Sequence, residues 1–474
     1  MGSMSENRPT MLLRCAKPSA RMAYAAEVMF GLWGGLKVEW ETDATLVDSV
    51  QAVLNGQTVA HWPVHPLSLD DTHCSHEVDI AWRMWRVSSP LWGDCQLHLP
   101  CGVGATREGE GWLGWDVLGN GLFGLTCWSE QSGELLRDHH GRPMPSDCLK
   151  GREVVRWGGL TWPAEKQHHI PWLECMVSLL LESWGHDVES GTSFEWEATF
   201  DVDVAFQDLG RPAWKALLLQ TRDGLGGKWS AVRRRSAVRQ GRRRDAYDSY
   251  DWIKEFHRNE PLTWYMLLAN RQKPYDVGLP PNSVALKGLM EALRHHRGGS
   301  VVRWHPGYAA MSNANTMSEE RNRFLEWDGG DHRGIRAHFL RSNPGKDWVQ
   351  WARQGVEVDA SLGWARDIGF RAGVSRTFPA FDLTTNERLA LQIQPIAMMD
   401  SALKHGLKLS PDRVAEIVLP MMGVVAEVGG TWSMCWHNTS VSDAEEWKGW
   451  RATYVHIVEA ARARAGRKFD HGRT

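Results

Sequence analysis

Hydrophobic and polar positions change their spacing along the chain, and the changes divide it into three stretches. Up to about residue 125, short segments alternate apolar with polar residues at a period of two, as half-buried strands do. Leu36-Lys37-Val38-Glu39-Trp40 and Ile80-Ala81-Trp82-Arg83-Met84-Trp85 are examples, and Gly and Pro punctuate them heavily. Residues 1–125 are therefore expected to form a smaller strand-rich N-terminal domain. Residues 126–194 read as a connecting region. It holds a Gly-rich, charged loop with Asp138-His139-His140-Gly141-Arg142-Pro143, then a helix with Leu173, Met176, Leu179, Leu180 and Leu181 before Trp184.

From about 195 the pattern becomes strand, then helix, repeated. Phe194 to Ala205, Leu262 to Leu268, Val301 to Trp304, Ile335 to Leu340, Val356 to Ala360 and Thr431 to Trp436 read as strands, and Gly369-Phe370-Arg371 opens another. Between them, helices are predicted from a cap at Asn282 or Ser283 to Arg297, from Ser318 onward, around Asp347 to Gln354, and from Pro411 to Val428. Six or seven such units imply parallel strands with helices outside. The expected class is α/β: a (β/α) barrel, or a distorted one with seven strands, over residues 195–474.

In such barrels the chemistry sits at the C-terminal ends of the strands. Four predicted strand ends carry unusual polar groups. In Asp201-Val202-Asp203 the two carboxylates share a face, an arrangement that calls for a cation or strong hydrogen bonds between them. His305 precedes a rigid Pro306-Gly307 turn. Arg336 and His338 are two residues apart on one predicted strand, and His437 ends the last one. Asp359 and Arg371, on intervening strands, are further candidates, as are Tyr308 and Trp436 beside His305 and His437. Asp and His ligands with an open position suit zinc or another divalent metal.

Composition narrows the picture. The chain has 474 residues, 42% hydrophobic and 23% charged, with a net charge of −3. This is the balance of a soluble globular protein, with no global field to attract nucleic acid. The local runs Arg233-Arg234-Arg235 and Arg242-Arg243-Arg244 read as a solvated loop or as a patch for an anionic substrate, and they lack the aromatics of a nucleic-acid platform. Eight cysteines form no CxxC pair, which points to reduced thiols. No apolar run is long enough for membrane insertion. Met1-Gly2-Ser3-Met4 reads as a cloning remnant with no leader behind it, so the expected location is the cytoplasm. The 27 Trp are expected mostly in packing, with a few lining a saccharide cleft.

The order Thr199-Phe200-Asp201-x-Asp203, strand-end His305, Arg336 and Trp436-His437 resembles the NodB-homology polysaccharide deacetylases. It looks closest to a subgroup with His305-Pro306, Arg336 to Arg341, Gly369 to Gly373, Trp436 to Asn438 and, upstream, Asp138 to Arg142. The resemblance covers roughly residues 115 to 445. It implies a metal-dependent hydrolase that cleaves the amide C–N bond of N-acetylated saccharides. By that analogy Asp201 is the general base, Asp203 and His305 are metal ligands, Arg336 orients Asp201, and His437 is the general acid. Tyr308, Asp359, Arg371 and Trp436 would contact substrate. The family's second motif carries two His four residues apart, whereas Ala309 stands at the second place here. His338 is the expected replacement ligand, and zinc the expected metal. The alternative is a catalytically degenerate barrel that binds carbohydrate, or one that serves an envelope-building complex through a protein partner on its N-terminal domain.

Overall fold

The period-two segments near the N-terminus pair in two four-stranded sheets, the second completed by two short strands from the 126–194 stretch. The computed structural model describes residues 8–69, 80–102, 111–131, 135–145, 149–186, 193–211, 213–270, 274–328 and 333–465. The first sheet has the order β2-β1-β3-β4, with β1 Thr10–Cys15, β2 Lys37–Thr42, β3 Ser49–Leu54 and β4 Gln57–Pro63. β1 and β2 run parallel, and the helix Ala20–Ala26 lies in the crossover between them, started by the Ser19 hydroxyl accepting from the Met22 N–H at 2.9 Å. The second sheet is antiparallel, in the order β5 Ala81–Ser89, β6 Gly93–Gly102, β7 Val155–Trp157 and β8 Leu160–Trp162.

The third sheet has nine strands: β9 Glu195–Val202, β10 Leu262–Leu267, β11 Ser300–His305, β12 Gly334–Ile335, β13 Val358–Asp359, β14 Phe378–Asp382, β15 Glu387–Ile393, β16 Met398–Met399 and β17 Thr431–His437. Their order is β14-β15-β13-β12-β11-β10-β9-β17-β16, and only β14 is antiparallel to its neighbour. The ladder ends at β14 and β16, so the fold is mixed α/β with no closed barrel among the described residues.

The sheet is nevertheless strongly curled. Arg336, just after β12, lies three strands from Asp201 on β9, a separation of about 14 Å in a flat sheet. Its guanidinium nonetheless meets the Asp201 carboxylate at 2.7 Å. Gln394, just after β15, hydrogen-bonds Glu197 on β9 across five strands. The Gln394 carbonyl also accepts from Arg303, which donates to the Tyr265 hydroxyl. Polar side chains thus cross the concave face from both sides.

One expected strand is cut short and another is absent. The alternation from Ile335 to Leu340 mimics a strand, but pairing stops at Ile335, and Phe339 and Leu340 take left-handed backbone, with φ of 62° and 52°. Gly369-Phe370-Arg371 opens a turn, held by the Gly373 N–H on the Phe370 carbonyl at 3.0 Å. The helix expected from Ser318 begins earlier, at Ala314, because the Asn313 side chain accepts from the N–H groups of Asn315 and Thr316. Of the two arginine runs, Arg233-Arg234-Arg235 lies in the helix Trp229–Arg239 rather than in a loop, whereas Arg242-Arg243-Arg244 follows it in loop. Six cysteines are buried and unpaired, while Cys74 and Cys148 lie outside the described residues.

One hydrophobic core runs from the N-terminal strands to the C-terminal helix Trp450–Arg464. Tyr24 stacks on Phe381 at 4.5 Å and donates to the Pro379 carbonyl on edge strand β14. Arg21 beside it donates to the Leu383 carbonyl at 3.0 Å. The helix thus occupies backbone groups at the edge of the large sheet.

Candidate active site

Strand register brings the first acidic and basic groups together. β9 and β17 are parallel neighbours with Asp201 opposite His437, and β10 places Tyr265 opposite Asp201 on the other side. Asp201 is buried and accepts from Arg336 at 2.7 Å, with the Cys435 thiol 3.3 Å from its other oxygen. Burial alone would raise its pKa. The charges of Arg336, His305 and His437 outweigh that and hold it below the usual carboxylate range.

Asp203 stands one pleat further on, with three imidazoles around it. Its oxygens are 3.2 Å from His305 Nε2, 3.2 Å from His338 Nε2 and 3.4 Å from His437 Nε2. Each ring is fixed from behind. His305 Nδ1 donates to the Arg336 carbonyl, and His338 Nδ1 meets Asp276 at 2.8 Å. His437 Nδ1 meets Asp400 at 2.7 Å, and Asp400 also accepts from the His437 N–H and from Ser440. Burial would lower the His338 pKa, but Asp203 and Asp276 push it up to about 9, and Asp400 and Asp203 likewise raise His437.

The ligand atoms of Asp203, His305 and His338 lie within 4.8 Å of one another. Asp203 Oδ1 and His305 Nε2 are buried and have no hydrogen-bond partner. His305 Nδ1 donates to the Arg336 carbonyl, so in the neutral ring the Nε2 lone pair faces a carboxylate oxygen. That pairing is unfavourable without a cation between the two. The donor set therefore fits a divalent metal. Sequence reasoning placed Arg336 and His338 on one strand face. Instead, the break after Ile335 carries His338 into a turn, Arg336 reaches Asp201, and His338 reaches Asp203.

These groups open into a pocket of about 670 Å³. One wall comes from the 138–142 loop. Asp138 pairs with Arg142 at 2.7 Å, Arg341 donates to the His140 carbonyl at 3.0 Å, and the His140 ring lies 3.2 Å from the Tyr308 hydroxyl. Tyr308 stacks on Tyr275 at 4.0 Å, under the Arg341 guanidinium.

Of the four substrate-contact candidates, Tyr308 does not line the pocket but packs on Tyr275, which does, and the other three lie away from it. Asp359 is fully buried and accepts from Trp348 and from the Ser361 N–H, with burial pushing its pKa up to about 6. Arg371 is buried in an ion pair with Glu130. Trp436 packs on Tyr454 at 4.9 Å and is fully buried. No Trp lines the pocket, whose aromatic wall is Tyr275 and Phe339. The large indoles fill the core instead, where burying their area contributes most. Sequence reasoning missed Asp400 and Asp276. Asp400 directly follows short strand β16 and carries the same strand-end signal as His305, whereas Asp276 sits in a loop with no signal.

No protein-family model matches the chain, and no curated protein matches it in sequence. Among solved structures it is similar to a Mycobacterium smegmatis protein assigned to the polysaccharide deacetylases. That likeness has 14% identity and a TM-score of 0.37, and it covers 57% of this chain and 85% of that one. A likeness of this extent carries no argument about chemistry, which rests on the side chains above.

Proposed function

We propose that the protein is a metal-dependent hydrolase that removes acetyl groups from the amide nitrogen of N-acetylated saccharides. The observation that carries this reading is the convergence of three candidate ligands, Asp203, His305 and His338, between an ionised Asp201 and an Asp400-braced His437. A divalent cation held there, zinc foremost, would supply Lewis-acid polarisation of the amide carbonyl and ease ionisation of water. Asp201, kept ionised by Arg336, takes the proton of the attacking water. His437, protonated and fixed by Asp400, gives a proton to the departing nitrogen as the C–N bond breaks. The products are acetate and a free amine. An acid and a base on separate supports in one pocket suit hydrolysis rather than simple binding. His338 stands in for the family's second motif histidine, whose place is taken by Ala309.

The test is elemental analysis of the purified protein after incubation with zinc, alongside Asp203→Ala, His305→Ala and His338→Ala variants, followed by acetate release from N-acetylated glycans. Near-stoichiometric zinc that each substitution abolishes, with acetate release that Asp201→Asn abolishes, supports the reading. A protein that takes up no zinc, manganese, cobalt or nickel overturns it, and glycan binding without turnover would then mark a carbohydrate-binding protein.

A further inference from the structure

Between β9 and the helix Tyr250–Phe256 the chain leaves the large sheet as two helices, Ala213–Leu225 and Trp229–Arg239, that contribute nothing to the pocket. The first presents to solvent what a helix normally buries. Leu217 and Leu218 are each 63% exposed and Leu225 is 87% exposed. Trp214, three residues before Leu217, is exposed as well. Steps of three, four and seven residues place these side chains on one stripe. Trp229, also exposed, continues it past the Gly226-Gly227 turn: a Cβ built on Gly224 would touch its ring at 3.8 Å.

Charge gathers around this stripe. Positions 213 to 244 carry ten Lys and Arg against a single carboxylate, Asp223, in a chain whose net charge is −3. Part of that charge is internal to the fold. Arg234 and Arg235 pair with Asp208, Arg235 also with Asp223, and Arg244 with Asp248 and Asp251. Among the described residues Arg233, Arg239 and Arg243 have no carboxylate partner. Arg233 stands one helical turn from Trp229, on the same side of that helix.

An apolar stripe with tryptophans near both ends and an uncompensated cationic flank matches one surface in particular. Indoles sit well at the boundary between hydrocarbon and headgroups, and Lys and Arg are drawn to anionic headgroups. An apolar protein groove would account for the leucines and leave the charge unexplained. No described helix is long and apolar enough to cross a membrane, so the hairpin would lie in the interface plane. We infer that this helical hairpin docks the protein on the surface of an anionic lipid bilayer. It leaves the sheet at the C-terminal end of β9, the end that carries Asp201, and its role does not depend on the hydrolase reading.

The test is co-sedimentation of the full chain with vesicles of three parts phosphatidylcholine to one part phosphatidylglycerol, against vesicles of phosphatidylcholine alone. The expected result is binding to the charged vesicles that weakens as salt rises. Leu217→Ser with Leu218→Ser should cut the partition about tenfold, since the apolar face supplies the insertion term. Arg239→Gln with Arg243→Gln should cut it roughly thirtyfold by removing two headgroup attractions. All four positions are at the surface, and unchanged thermal unfolding would show that the fold is intact. Failure to bind charged vesicles at low salt overturns the proposal, as does binding that ignores the leucine substitutions. Concentration-dependent dimerisation that those substitutions abolish, without vesicle binding, overturns it in favour of a second copy of the chain.

Discussion

Arg336→Met removes the guanidinium buried against Asp201 while keeping most of the side-chain volume. Arg336 is fully buried and Asp201 is 2% exposed, so neither charge is screened by water. Removing one member of such a pair leaves the other charge buried without a counterion, at a cost of about 3–5 kcal/mol. The Ala360 carbonyl also loses the donor it now has at 3.0 Å, and the Tyr265 ring loses the cation 3.9 Å from its centre. The expected loss, read by urea unfolding at neutral pH, is therefore about 4 kcal/mol. The pH dependence separates this mechanism from simple mispacking. In the native protein the lowered Asp201 pKa contributes stability that is present above the ordinary carboxylate pKa and lost as pH falls through the lowered value. In the variant burial dominates, the pKa rises above its unfolded value, and the slope reverses: stability is present at acid pH and lost as pH rises. Adding Asp201→Asn removes the stranded charge, so the double variant should recover most of the loss. A single-variant loss below about 1 kcal/mol, or a double variant as unstable as the sum of the two, would refute the coupling.

Further outcomes follow from neighbouring groups. Burial, with Asp276 adding to it, pushes the Glu320 pKa up to about 7 from 4.5, against the Gly307 N–H that it accepts. Its contribution is present below the unfolded value and is lost as pH rises through about 7, so Glu320→Gln should stabilise the protein above that pH by about 3 kcal/mol, read as melting temperature against pH. An unchanged profile would show Glu320 ionised in the fold. Asp400→Asn removes the carboxylate that holds His437 Nδ1 and should lower kcat of acetate release by about 10²–10⁴ with KM little changed; unaltered kcat excludes His437 as the acid. Asp276→Ala frees the His338 ring and should weaken zinc about 10–100-fold in a chelator competition, and equal affinity would remove Asp276 from the site.

What the sequence reveals and what it hides follow from how local each signal is. β9, β10, β11 and β17 are long runs whose apolar period stands out, and the polar residues at their ends, Asp201, Asp203, His305 and His437, meet as strand-end logic expects. β12, β13 and β16 are two residues each; the first two fall within or at the edge of longer runs that read as strands, whereas β16 shows no period at all, and Asp400 behind it was missed. Asp359 and Arg371 looked like site residues because polar groups near strand ends are rare. Their partners Trp348 and Glu130 lie on other elements, and only tertiary structure reveals that both are satisfied in the interior. The curl that brings Gln394 to Glu197 is likewise invisible to local pattern.

The break after β12 shows how buried structural groups aim the chemistry. One short segment supplies the Arg336 carbonyl to His305, the Arg336 guanidinium to Asp201, and the His338 ring to Asp203. Between those two residues, the Ala337 N–H has left the ladder and donates to the Ser361 hydroxyl at 2.8 Å, and Ser361 is itself held by Asp359 through its own N–H. Asp359, fully buried, thus braces this segment from behind. Ser361→Ala would leave the fully buried Ala337 N–H without an acceptor, a loss of about 1–3 kcal/mol, and would release the segment that orients both imidazoles. Urea unfolding should report the first effect and zinc competition the second. Lost stability with unchanged zinc affinity would mean that the aromatic contacts of Phe339 with Tyr275 and Tyr308 hold the segment without Ser361, and the bracing argument would fail.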